Sequence, residues 1–164
     1  THWMADHGIT WLRISIGIIF LWFGLVKYFP GLSPIEDLAL KTVRVLTFNL
    51  FSDKAMGAGL ATLECMIGIG LITGKFLRAT LLLLMLQLIG AISPVFLFPS
   101  AVFKIIPIVL TLPGQYIIKD IVLITAGILI GGTVRGGKMI ADPVVAEKAK
   151  KAEEHKLSSE TAQS

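Results

Sequence analysis

Four long apolar blocks constrain this 164-residue chain more than any other feature of its sequence. They cover about residues 9–29, 55–73, 76–98 and 115–134, and an α-helix needs ~20 apolar residues to cross the hydrocarbon core of a bilayer. Only 16% of the residues are charged, whereas soluble domains carry about 25%. The sequence therefore predicts an integral membrane protein of the all-α class, with a four-helix transmembrane bundle over residues 1–134.

The segment between the first two blocks predicts an amphipathic helix at the membrane interface. Ser33 and Glu36 have the spacing of a capping box, and Pro34 suits the first helical position. The apolar residues that follow recur at helical spacing, with charged residues on the other side. They are Ile35, Leu38, Ala39, Val43, Leu46 and Leu50.

Two further segments lie outside the four blocks. The stretch 99–114 is apolar but interrupted by prolines, so we expect it to pack in the interface or to enter the membrane only in part. Residues 135–164 form a charged tail, in which Glu147 and Lys151 have the i,i+4 spacing of a short helix. The mixed signs of this tail argue against a nucleic-acid partner.

The distribution of Lys and Arg predicts the orientation of the chain. Four crossings place both termini on one side of the membrane, and that side collects most of the positive charge, including that of the tail. Because positive charge accumulates on the cytoplasmic side, both termini are expected in the cytoplasm.

The composition also restricts the redox chemistry that we expect. Cys65 is the only cysteine, which argues against a dithiol, a cysteine-ligated metal site and an iron–sulfur cluster. His2, His7 and His155 lie near the chain ends, so they cannot hold a haem between facing spans. We therefore expect no cofactor bound through metal ligands, and any metal or flavin centre is expected on another subunit.

Charged residues inside the spans carry the most information about function. A charge at mid-bilayer costs about 2.5–3.5 kcal/mol on insertion scales, so such residues normally face the bundle interior. In the first span Arg13, Gly17, Phe20, Gly24 and Lys27 fall on one stripe of the helix. This stripe predicts a face with two cations and two glycines that is turned toward the other helices.

The other three spans carry similar faces of small and polar residues, which allow helices to approach closely. These faces are Gly57, Ala61, Glu64 and Gly68; Gln87, Gly90, Ala91 and Pro94; and Asp120, Ile124, Gly127 and Gly131. The pattern predicts a bundle with a polar interior and a lipid-facing surface rich in Leu and Ile.

Depth along the helices suggests how the charges pair. At a rise of ~1.5 Å per residue, Lys27 and Asp120 lie toward the same face of the membrane, and we expect them to form an ion pair. Glu64 lies deeper, and we expect it either to meet Arg13 or to be protonated. These pairs could serve only to fix helix register; for Glu64 the alternatives are a proton carrier or a hydrogen-bonding group for a quinone or another small ligand.

Three segments resemble the DoxX-like family of small bacterial membrane proteins, particularly its YkgB-like branch. They are LRISIGIIFLWFGLVKYFPG at 12–31, LECMIGIGLITG at 63–74 and GQYIIKDIVLITAG at 114–127. Within them the resemblance depends on ordered motifs: Arg13 with W-x-G-x-x-K at Trp22, Gly24 and Lys27; E-x-x-x-G at Glu64 and Gly68; and G-x-Y-x-x-K-D at Gly114, Tyr116, Lys119 and Asp120.

This resemblance implies a four-helix protein of the bacterial inner membrane that is linked to respiratory or oxidative-stress assemblies. The leading hypothesis is an accessory, non-catalytic subunit of a quinone-linked redox complex, with other membrane subunits or further copies of itself as partners. The alternatives are a stand-alone proton-coupled transporter or oxidative-stress-response protein and, ranked last, an enzyme that itself reduces quinone. The candidate site residues for ligand binding or proton relay are Glu64, Arg13, Lys27, Lys119, Asp120, Gln87 and Tyr116.

Overall fold

The computed structural model describes residues 2–29, 31–33, 35–134, 147–148, 151–152 and 154. Its elements are α1 (His2–Val26), α2 (Glu36–Leu46), α3 (Asp53–Thr73), α4 (Leu77–Ile92), α5 (Pro94–Leu97), α6 (Pro99–Val102), β1 (Phe103–Ile105), β2 (Val109–Leu110) and α7 (Leu112–Thr133). Four stretches are long and apolar enough to cross a membrane: 7–26, 53–73, 77–97 and 112–133. The protein is therefore an all-α, multi-pass membrane protein, and the four predicted spans are confirmed with shifted ends.

Local sequence signals explain where these helices begin and end. Ser52 caps α3 by accepting a hydrogen bond from Ala55 N, and Gly74 ends the same helix in the left-handed conformation that glycine adopts readily. Thr111 caps α7 by accepting from Gly114 N at 3.1 Å, so this helix starts three residues before the predicted 115. The third span is interrupted at Pro94, which cannot donate the helical hydrogen bond.

Helices α1 and α3 pack as a close antiparallel pair through small residues. A Cβ atom placed on Gly24 would lie 3.1 Å from Ala61 O, and one placed on Gly68 would lie 2.8 Å from Gly17 O. These small residues recur every seven positions on both helices, which keeps them in one seam. The predicted small faces of the first two spans are thus confirmed as a helix–helix contact.

The rest of the bundle closes around an apolar core shared by α1, α3, α4 and α7. Its fully buried members include Ile67, Leu71, Leu84 and Ile130. Gly127 of α7 lies so close to Met85 of α4 that a Cβ atom at Gly127 would overlap the Met85 methyl group.

The amphipathic helix α2 packs against the bundle instead of only resting on the membrane surface. Leu38 and Thr42 are buried, and the Arg44 side chain forms an ion pair with Asp53 at the start of α3. The predicted capping box is wrong, because the Glu36 carboxylate accepts a hydrogen bond from Gly31 N at 2.7 Å and the N-cap position makes no side-chain bond. Pro34, its third element, lies outside the described residues.

The proline-broken stretch between α5 and α7 contains a feature that we did not predict. After α6, strands β1 and β2 form a short antiparallel hairpin. Val102 is fully buried at its base, and its carbonyl oxygen accepts hydrogen bonds from Thr111 N at 2.9 Å and Thr111 Oγ1 at 3.0 Å. The apolar residues at the tip, such as Ile106 and Ile108, are exposed, as expected for a segment that packs in the interface.

In the charged tail, Lys151 and Glu147 form the expected i,i+4 ion pair at 2.7 Å. Residues 147–148, 151–152 and 154 are helical, and the rest of the predicted tail helix lies outside the described residues.

Candidate functional site

A cavity of about 720 Å³ lies between the membrane helices and α2. Small-molecule sites usually measure about 300–1,000 Å³ and combine apolar walls with a few polar groups. The walls here are mostly aliphatic and aromatic, and the polar residues that line them are Lys27, Thr42, Glu64, Gln87, Tyr116, Lys119 and Asp120. Six of the seven predicted site residues thus share one cavity.

The polar centre of this cavity is the carboxylate of Glu64. Glu64 is buried on α3 with 5% of its surface exposed. Its Oε1 atom accepts hydrogen bonds from Lys27 Nζ, just beyond the end of α1, and from Gln87 Nε2 of α4 at 3.1 Å. Its second oxygen, Oε2, is buried and has no hydrogen-bond partner among the described residues.

The pairing of Lys27 with Glu64 corrects the predicted pairing of Lys27 with Asp120. Side chains on a helix lean toward its N-terminus, and α1 and α3 run antiparallel. The long Lys27 side chain therefore leans back toward the membrane interior, while the Glu64 side chain leans outward to meet it. The prediction compared only the depths of the backbone positions and so missed this contact.

Asp120 lies on α7 and lines the same cavity, and it forms no ion pair with any residue that the structure describes. It is partly buried, and its carboxylate makes no hydrogen bond within the described ranges. Its neighbour Lys119 is exposed and places Nζ 5.6 Å from the ring centre of Tyr116, within reach of a cation–π interaction. The predicted G-x-Y-x-x-K-D motif therefore contributes its Tyr, Lys and Asp to one wall of the cavity.

Arg13 stands apart from this cluster, and the expected contact between Arg13 and Glu64 is not formed. The Arg13 guanidinium lies against Gly74, so closely that a Cβ atom at Gly74 would overlap it. Gly74 ends α3, and the C-terminus of a helix carries a partial negative charge that attracts cations. Arg13 therefore sits where it stabilises the end of α3, at a distance from the cavity.

Sequence reasoning missed the wall that α2 provides. The residues of this wall are Ile35, just before the helix, and Leu38, Ala39, Thr42, Val43 and Leu46 within it. The Thr42 hydroxyl donates to Leu38 O at 2.7 Å, so its polarity is satisfied within the helix and its methyl group is left to pack. The apolar side of α2 was visible in the sequence, but the pattern does not show which surface covers it.

The arrangement can hold a molecule that combines an apolar body with a small polar group. Apolar walls from α1, α2, α4 and α7 surround the ion pair of Lys27 and Glu64. Comparisons of the chain with protein-family models, with curated proteins and with solved structures gave no significant match. The resemblance to the DoxX-like family therefore stays a prediction.

Proposed function

We propose that this protein is an accessory membrane subunit of a respiratory or quinone-linked redox complex, and that its cavity binds the head group of a quinone. One observation carries the proposal: Lys27, Glu64 and Gln87 meet at the wall of a mostly apolar cavity inside the membrane bundle. A charged cluster at this depth is costly unless it is paired, and such clusters usually mark a functional site.

The residues present suit a quinone. Apolar walls can contain a ring and the start of an isoprenoid tail, and the polar side chains can bind the two ring oxygens. Lys27, Gln87 and Tyr116 carry hydrogen-bond donors, and Glu64 and Asp120 carry acceptors. A bound quinone would supply the electron-accepting chemistry, and this chain would bind and orient the ring.

The assignment as an accessory subunit depends on the ligand set of the sequence. Cys65 is the only cysteine and the three histidines lie near the chain ends, so we assign electron transfer to a partner subunit. Large apolar side chains such as Trp22 and Ile128 are exposed, where lipid or a neighbouring subunit can cover them. We place the protein in a bacterial inner membrane with both termini in the cytoplasm.

Filling the cavity tests the binding part of the proposal. Gly90 lines the cavity, and a Cβ atom there would meet nothing within 4 Å, so Gly90→Leu should occupy the space without disturbing the helices. Gly59 offers equally open space on the outer side of α3, away from the cavity, and Gly59→Leu is the matched control.

The measurement is calorimetric titration of short-chain ubiquinone and menaquinone analogues into each protein in lipid nanodiscs. We expect saturable binding of one analogue per chain to the wild type and to Gly59→Leu, and loss of binding in Gly90→Leu. Absence of binding to the wild type, or equal binding by both variants, would contradict the proposed site.

The partner is tested by extraction with a mild detergent and native mass spectrometry of the complexes. We expect a redox subunit to accompany the chain. A chain that appears only as a monomer or homo-oligomer would contradict the assignment as an accessory subunit. It would not affect the test of quinone binding.

The transporter hypothesis gains no support from the arrangement of the cavity. A transporter of this kind would use the proline-broken segment 99–114 as its gate, yet none of the described residues of that segment lines the cavity.

A further inference from the structure

The unpartnered oxygen of Glu64 restricts the hydrogen-bonding character of the ligand. Oε1 already accepts from Lys27 and Gln87, whereas Oε2 is buried and has no partner among the described residues. A buried polar atom without a partner is destabilising, more so when it carries charge. A molecule that donates a hydrogen bond to this atom would remove that cost.

The missing partner has to be a donor. The ammonium group of Lys27 balances the charge of the Glu64 carboxylate, and an ionised carboxylate can only accept hydrogen bonds. Asp120 adds a second carboxylate to the same cavity, and its oxygens have no hydrogen bond within the described ranges. The hydrogen-bonding positions that remain free on these two carboxylates are thus acceptors.

We propose that the cavity discriminates between the two redox forms of its ligand and prefers the quinol, with Glu64 Oε2 as the acceptor that sets this preference. This inference rests on the proposed function. A quinol hydroxyl can donate to Oε2, whereas the carbonyl oxygen of a quinone can only accept and would lie against another acceptor. The last torsion angle of Glu is soft, so a small rotation of the carboxylate presents Oε2 to the cavity.

The size of the effect follows from one hydrogen bond to a charged acceptor. Such a bond corresponds to roughly 10- to 100-fold in affinity. We therefore expect the quinol to bind the wild-type protein at least about tenfold more tightly than the matching quinone.

The test compares both redox forms of one short-chain analogue under anaerobic conditions, with the full chain in nanodiscs. In Glu64→Gln the amide oxygen can still accept from Lys27 and Gln87, and the amide N–H then stands where Oε2 was. Because a donor has replaced an acceptor, we expect the preference to disappear or to reverse toward the quinone. Asp37→Asn makes the same chemical change on the exposed side of α2 and should keep the wild-type preference.

A second probe keeps the test independent of how well Glu64→Gln folds. The dimethyl ether of the quinol keeps the ring but has no hydroxyl donor, and we expect the wild type to bind it at least about tenfold more weakly than the quinol. Equal binding of quinol and ether, a wild type that prefers the quinone, or an unchanged preference in folded Glu64→Gln would each overturn the inference. Those outcomes leave the proposed function standing, whereas failure of both redox forms to bind would contradict the proposed function itself.

Discussion

The seam between α1 and α3 predicts that a single methyl group at Gly68 will loosen the bundle. A Cβ atom at this position would lie 2.6 Å from Leu21 N and 2.8 Å from Gly17 O, while ordinary Cβ contacts begin at 3.4 Å. Both neighbours are backbone atoms, so no side chain can rotate away. To accept Gly68→Ala, α1 must shift by several tenths of an ångström, which also disturbs the packing of Ile16 against the core.

Overpacking of this kind costs about 1–3 kcal/mol of unfolding free energy. The assay is unfolding in mixed detergent–SDS micelles, followed by far-ultraviolet circular dichroism. Gly59→Ala on the same helix is the matched control, because its Cβ atom would meet nothing within 4 Å and alanine favours the helix. A Gly68→Ala protein whose stability lies within about 0.5 kcal/mol of this control would refute the reasoning, since changes of that size are typical of surface sites.

Three further predictions are tested by the same unfolding assay, by quinone binding or by limited proteolysis. Lys27→Met leaves the buried Glu64 carboxylate without its counter-charge and should lower stability by about 3–5 kcal/mol. Adding Glu64→Leu should restore much of this stability, and a Lys27→Met protein as stable as the exposed control Lys41→Met would contradict the ion pair. Arg13→Gln should lower the free energy of unfolding by about 0.3–1 kcal/mol, because the end of α3 loses a stabilising charge. Quinone affinity should stay unchanged, and a clear loss of affinity would place Arg13 in the site. Gly114→Ala brings a Cβ atom onto the carbonyl oxygen of Val102 and should expose residues 103–110 to limited proteolysis. The control is Gly131→Ala, whose Cβ atom would meet only Leu81 Cδ1 at 3.9 Å. Cleavage of Gly114→Ala no faster than that of this control would show that the hairpin tolerates the change.

The spans and their inward faces were predictable from the sequence because both depend on local periodicity. Hydropathy alone locates four crossings, and the seven-residue spacing of Gly17 with Gly24 and of Ala61 with Gly68 indicates a close helix pair. Membership of Gln87 in the polar interior followed from the same helical spacing. These features need no knowledge of where one helix stands relative to the next.

The ion pair and the hairpin could not be predicted in the same way. Which partner Lys27 takes depends on the direction in which two long side chains lean across antiparallel helices, and backbone depth does not contain that information. The strands β1 and β2 have three and two residues, too few for an alternating pattern to appear. The cavity itself arises from the placement of α2 over the bundle, which is a property of the assembled fold.

The ion pair of Lys27 and Glu64 also bears on how the chain enters the membrane. The two residues belong to successive spans and are separated by the whole of α2, so a chain that inserts span by span brings in Lys27 before Glu64. Glu64 lies well inside its span, where a lone charge costs about 2.5–3.5 kcal/mol, and the contact with Lys27 relieves that penalty when α3 docks on α1. The ion pair therefore favours the docking of α3 on α1 once both spans have entered the membrane.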